Sequence, residues 1–277
     1  MKFGVNTFLW TAAFDASHLG LLVTIQRAGF DGVEIARLDF DGFPAAAIGR
    51  AISDAGLECT VCSALTGDLS LITDDAAARA KTLGFLRRAV DATSALGAPV
   101  LAGPFCSPVG YLPGRRRRGD EWKRAVDGLR ELGPALDSAG VTLAVEPLNR
   151  FETFFLNTAA DGRALCEEIG HPRIGLLFDT FHANIEEKSM GAALAACGPR
   201  LKHVHSCEND RGAPGSGHVE WGEVFAGLGQ LGYDEWLVIE SFGSRIPDLA
   251  AATCIWRDLA ATPEELAIDG LRFLKRS

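Results

Sequence analysis

The sequence predicts a (β/α)8 (TIM) barrel, one domain spanning residues 1–277. Three observations carry the prediction. Eight short apolar runs each precede a stretch with helical pattern. Those runs are continuously apolar rather than alternating, as parallel strands buried on both faces are. The length of 277 residues is close to the roughly 250 typical of such barrels, and no linker, near-identical repeat or low-complexity tract divides the chain. A doubly wound open sheet is the alternative built from the same units.

The units run in order. KFGVNTFL (2–9) precedes a helical pattern over 16–30, DGVEIA (31–36) one over 43–56, and LECTVCSAL (57–65) the long stretch 74–97. APVLAG (98–103) leads through a loop to 120–140, VTLAVE (141–146) to 158–170, and IGLLFD (174–179) to 184–198. LKHVHS (201–206) precedes 220–232, and EWLVIE (235–240) precedes a last helical region with TPEELAIDGLRFLK (262–275). Glycines at 29, 56, 97, 140, 170, 198 and 232 fall near predicted helix ends, where a left-handed cap costs glycine least. GLGQLG (227–232) matches a dinucleotide-binding glycine pattern but lies inside a helix rather than at a strand-to-helix turn, which removes that reading.

Composition narrows the classes. With 47% hydrophobic and 23% charged residues the chain reads as a folded globular protein. A net charge of −9 argues against a nucleic-acid backbone as the main partner. The run Arg115–Arg118 reads as a solvated or subunit-facing loop rather than a phosphate site. The start, MKFGVNTFLW, is too short and polar for a signal peptide, and no apolar run reaches the length of a membrane span. Seven scattered cysteines fit free thiols better than a disulfide framework. Cys59 and Cys62, three apart on a strand, should face opposite sides. The expectation is a cytoplasmic protein with no membrane partner.

Barrel active sites form at the C-terminal ends of the strands. The fifth strand ends in Glu146, the sixth in Asp179, the seventh near His205 and the eighth in Glu240. Each acid alone could cap a helix or pair with an arginine. Together they repel: two carboxylates about 4 Å apart cost roughly 4 kcal/mol at an effective dielectric of about 20. A shared divalent cation turns that repulsion into binding, and an oxygen-rich set with one histidine suits manganese, magnesium or cobalt better than structural zinc. His203 shares a strand face with His205 and either lines the pocket, supports a ligand or is a core histidine; nothing in the sequence fixes His218. An ion so held can bind a carbonyl and a hydroxyl oxygen of a small sugar and stabilise an enediolate. Glu146 and Glu240 could then remove and return a proton on opposite faces of the carbon between them.

The segments LAVEPLNRFE, LLFDTFHANIEE, KHVHSCENDRGAPGSGHVEW, GYDEWLVIESF and WRDLAATPEEL resemble the ketose 3-epimerase family, which includes D-tagatose and D-allulose (psicose) 3-epimerases among the xylose-isomerase-like sugar isomerases. The resemblance runs from the first strand to the last helix and is densest in the second half. It implies that Glu146 and Glu240 are both catalytic acid/base and metal ligands, and that Asp179 and His205 complete the metal site. It implies that Glu152, His182 and Arg211 contact substrate oxygens. It also implies one divalent ion per subunit, Mn2+ first with Co2+ or Mg2+ as alternatives, a free ketose as substrate, and a homodimer or homotetramer.

Three features depart from the family pattern. Ser241 follows Glu240 where proline is frequent, the loop PFCSPVGYLPGRRRR (104–118) differs, and Phe8, Trp10 and Phe14 align only roughly. These surround the far end of the sugar site and leave the preferred ketose open. Other functions compatible with the scaffold are a hydroxypyruvate- or inosose-type isomerase or dehydratase, a nuclease of the endonuclease-IV type, or a non-catalytic sugar binder. Six histidines and the acidic charge count against the nuclease; two intact glutamates count against the binder.

Overall fold

The structure, a computed structural model, describes residues 1–276. Eight parallel strands close into a barrel in chain order: β1 (Lys2–Asn6), β2 (Gly32–Ala36), β3 (Glu58–Cys62), β4 (Val100–Gly103), β5 (Thr142–Val145), β6 (Ile174–Asp179), β7 (Leu201–Ser206) and β8 (Trp236–Ile239). Val5 of β1 pairs with Val33 on one side and Ile239 on the other, which seals the ring. The barrel, and not the open sheet, is therefore the fold.

Around it run α1 (Gly20–Ala28), α2 (Ala45–Asp54), α3 (Ala76–Leu96), α4 (Gly119–Glu131), α5 (Gly133–Ala139), α6 (Ala159–Ile169), α7 (Thr180–Glu186), α8 (Met190–Cys197), α9 (Trp221–Leu231), α10 (Pro247–Thr253) and α11 (Pro263–Leu274). The single helix expected over 120–140 is two. Pro134, in the first turn of α5, lacks the N–H that a continuous helix would need and crowds the preceding turn. The stretch 184–198 is also two helices: α7 starts directly at the end of β6, and Ser189 Oγ caps α8 through Ala192 N at 3.2 Å. Residues 7–9 form a 3-10 turn rather than the end of β1. GLGQLG lies in α9 and its cap, as its context required.

Strand alternation sorts the two faces. Val33 and Ile35, Leu143 and Val145, Leu176 and Phe178, and Leu237 and Ile239 join the large core under the helices. The intervening side chains fill the barrel. On one side these are small and apolar, with Val100, Ala102, Ala144 and Leu177 in mutual contact. On the other they are polar: Asn6, Glu34, Thr60, His203 and His205, all at most 1% exposed. Gly103 ends β4 at φ 142°, and a Cβ there would lie 1.8 Å from Ser63 O, so only glycine lets the two strand ends approach. Among the described residues, no helix is long and apolar enough to cross a membrane.

Cys59 Sγ faces Leu96 O at 3.6 Å and Cys62 Sγ faces Glu240 Oε1 at 3.7 Å, on opposite sides of β3, and all seven cysteines are free. The arginine run is exposed at Arg115, Arg116 and Arg118, in keeping with a solvated loop, and ion pairs tether it. Arg115 forks onto Glu121 at 3.0 and 2.5 Å, and Arg117 forks onto Asp161 at 3.0 Å while stacking on Trp122 at 4.5 Å.

Candidate active site

The four strand-end residues converge. Ligand atoms of Glu146, Asp179, His205 and Glu240, all buried, lie within 4.8 Å of one another at the C-terminal mouth of the barrel. Asp179 ends β6 and caps α7. Its Oδ1 accepts from Phe181 N at 2.7 Å and His182 N at 3.2 Å, so the helix cap fixes the carboxylate and leaves Oδ2 for the cluster. Oδ2 lies 2.9 Å from Arg211 Nη1 and 3.8 Å from His205 Nδ1. The same Arg211 nitrogen reaches Glu240 Oε2 at 2.9 Å, while Glu240 Oε1 stands 3.3 Å from His205 Nδ1.

These residues fit a divalent cation. Glu146 Oε1 and His205 Nδ1 are buried with no hydrogen-bond partner, an arrangement that costs free energy unless something else satisfies them. The donor set, three carboxylates and one imidazole, is that of a hard or borderline ion. Burial, reinforced by Glu240 and Asp179, holds the Glu146 carboxyl well above the usual range. Burial also opposes charge on Glu240, but the adjacent His205 outweighs it and brings Glu240 below the usual range. The two glutamates in one mouth are thus pushed in opposite directions.

His205 owes its orientation to a residue absent from the sequence-based list. Glu34, in mid-β2, accepts from His205 Nε2 and His203 Nε2, each at 2.8 Å. His203 therefore lies inside the barrel beside His205, their rings edge-on at 5.2 Å. Glu34 gave no signal because its run reads as an ordinary strand and its partners are on β7. His218 is exposed and apart from the cluster.

The three expected substrate contacts sit together beside the carboxylates. Arg211 adopts φ 69°, rare for a residue with a side chain. Its guanidinium lies over Phe181 at 4.0 Å, and Ser241 Oγ donates to its carbonyl at 2.6 Å. His182 Nδ1 faces Asn149 N at 3.1 Å, and its Nε2 faces Arg211 Nη2 at 3.0 Å and lies 3.6 Å from Glu146 Oε1. Burial lowers its pKa to about 3, so the ring is neutral at working pH. Glu152 accepts from Asn149 Nδ2 at 2.8 Å. Arg150 and Arg163, which could have neutralised Glu152, pair instead with Glu186 and Glu167.

A cavity of about 140 Å3 opens onto Glu146, Glu152, His182, Arg211 and Glu240. Its far wall is apolar, with Phe8, Leu38, Val109, Phe242 and Leu249. Phe8 is the one member of the aromatic trio in this wall; Trp10 bonds Glu264 at 2.7 Å, and Phe14 is fully buried core.

Residues 22–277 match the profile of the xylose isomerase-like TIM barrel family. The chain is 38% identical over its full length to a Synechocystis protein described as a "probable ketose 3-epimerase", covering 96% of it. It is 35% identical over 99% of its length to an L-ribulose 3-epimerase of Mesorhizobium japonicum, covering 93% of that protein. The solved structure of a D-allulose 3-epimerase from Methylomonas sp. in complex with D-allulose superposes with a TM-score of 0.94 at 31% identity, over 100% of this chain and 96% of that one.

Proposed function

The chain belongs to the xylose isomerase-like TIM barrel family, and from that we propose that it is a divalent-metal-dependent ketose 3-epimerase. The single observation that carries the reading is the convergence of Glu146, Asp179, His205 and Glu240 at one point, with two of the donor atoms otherwise orphaned. The relatives' names, ketose, L-ribulose and D-psicose 3-epimerase, support the substrate class.

In this reading all four residues hold the ion, which supplies Lewis-acid polarisation of adjacent carbonyl and hydroxyl oxygens. Glu146 and Glu240, from strands three places apart round the ring, exchange the C3 proton on opposite faces of a keto-sugar, one removing it and the other returning one. His182, Arg211, which donates, and Glu152, which accepts, contact the oxygens near C1 to C3 and hold them in register. The apolar wall excludes water from the sugar's far end.

The donor set supports Mn2+, with Co2+ or Mg2+ able to replace it. We assign a homodimer or homotetramer on the family resemblance; exposed Phe151 and Trp256 are side chains such an assembly would cover, and light scattering of the purified protein tests it. Seven free thiols support a cytoplasmic location.

Deuterium incorporation at C3 of D-fructose or D-tagatose in heavy water, with and without chelator, tests the mechanism. Exchange that chelation abolishes is expected. Exchange that persists in a metal-stripped sample would refute the metal's role, and turnover only of inososes or hydroxypyruvate would move the protein to another activity on the same scaffold.

A further inference from the structure

We propose that Glu34 is a positioning residue that dictates which nitrogen of His205 faces the carboxylate cluster, by accepting the Nε2–H of His205 and His203 together and so holding His205 Nδ1 as the bare ligand nitrogen. The proposal rests on the reading that Glu146, Asp179, His205 and Glu240 hold a divalent ion.

The argument is one of donors and acceptors. An ionised carboxylate only accepts, and Glu34 is fully buried. Its Oε1 receives Asn6 Nδ2 at 2.9 Å and faces His205 Nε2 at 2.8 Å; its Oε2 receives Thr60 Oγ1 at 2.9 Å and faces His203 Nε2 at 2.8 Å. The Asn6 amide cannot turn round, because its Oδ1 is taken by Phe8 N at 2.9 Å. With both oxygens already receiving a fixed donor, a bare Nε2 on either imidazole would set a lone pair against an anion at hydrogen-bond distance. Both rings must therefore carry hydrogen on Nε2. For His205 that leaves Nδ1 pointing at Asp179 and Glu240, where it has no hydrogen-bond partner. His203, edge-on to His205 at 5.2 Å, braces the ring from below. Such a supporting carboxylate typically governs metal affinity by roughly 10–100-fold.

Glu34→Gln is the informative change. The amide keeps the shape but has one accepting oxygen, and its NH2 opposes the other imidazole N–H. Calorimetric titration of Mn2+ and Co2+ into the folded variant is expected to give a Kd raised roughly 10–100-fold, whereas Thr60→Val, which spares both imidazole bonds, stays close to wild type. A second readout needs no variant. Proton NMR of the Co2+-loaded wild-type protein should display a strongly shifted, exchangeable imidazole N–H that is slow to exchange, the Nε2–H of His205 locked on Glu34. If that signal is absent from the loaded wild-type protein, or Glu34→Gln binds both ions as wild type does, the assignment to Glu34 is overturned while the metal site stands. If the wild-type protein binds neither ion, the metal reading fails and the positioning role goes with it.

Discussion

Asp179 serves two neighbours with one carboxylate, one oxygen for the helix cap and one for the cluster. That division explains why the residue was legible: a buried apolar run ending in an acid is anomalous whichever role it fills. The same logic exposed Glu146 and Glu240. Glu34 was not legible, because nothing in DGVEIA reports that two imidazoles from β7 will meet it inside a closed ring. Two predictions belong at this scale. Glu240→Gln should lower kcat by roughly 100-fold or more in a ketose epimerisation assay while the fold, followed by circular dichroism, is retained. Ser241→Ala removes the bond to the carbonyl of Arg211, whose backbone is held at φ 69°. KM for the ketose should rise roughly two- to tenfold, the equivalent of one hydrogen bond, with a smaller change in kcat.

The elements themselves were readable where period and length agreed, and misread where one residue overrode the pattern. Pro134 splits an otherwise continuous helical pattern, and Ser189 restarts a helix that periodicity had merged with α7. The end of β4 depends on Gly103: Gly103→Ala should cost roughly 2–4 kcal/mol in urea unfolding, because the added methyl overlaps the Ser63 carbonyl. The loop before α4 carries the pH-sensitive contact. Hydrogen bonds from Arg115 hold the Glu121 carboxyl below its usual range against the opposing effect of burial. A depressed folded-state pKa contributes stability that is complete above the unfolded value, 4.5, and is lost as pH falls through the lower folded value. Arg115→Ala should therefore reduce stability at neutral pH and flatten the loss in acid, read from melting temperatures across that window.

At the scale of the molecule, eight strand–helix units announced the barrel, but the polar side of its interior could not be read from the sequence. Side chains at Asn6, Glu34 and Thr60 sit where barrels commonly place branched aliphatics, and only closure reveals that they face His203 and His205. An ion bound by four different strands should stiffen the whole ring. At a free concentration about 100 times its Kd, such an ion adds about 2.7 kcal/mol, so chelation should lower the melting temperature by several degrees and readdition should restore it.

The seam that seals the ring joins Lys2–Val5 to Trp236–Ile239. During synthesis, β1 emerges well before β8 and waits for that outer neighbour until β2 to β7 have all been made. For that interval its backbone N–H and C=O groups are a bare edge, open to pairing with other nascent chains. Refolding from denaturant should consequently be slow and sensitive to protein concentration, with yield improving on dilution.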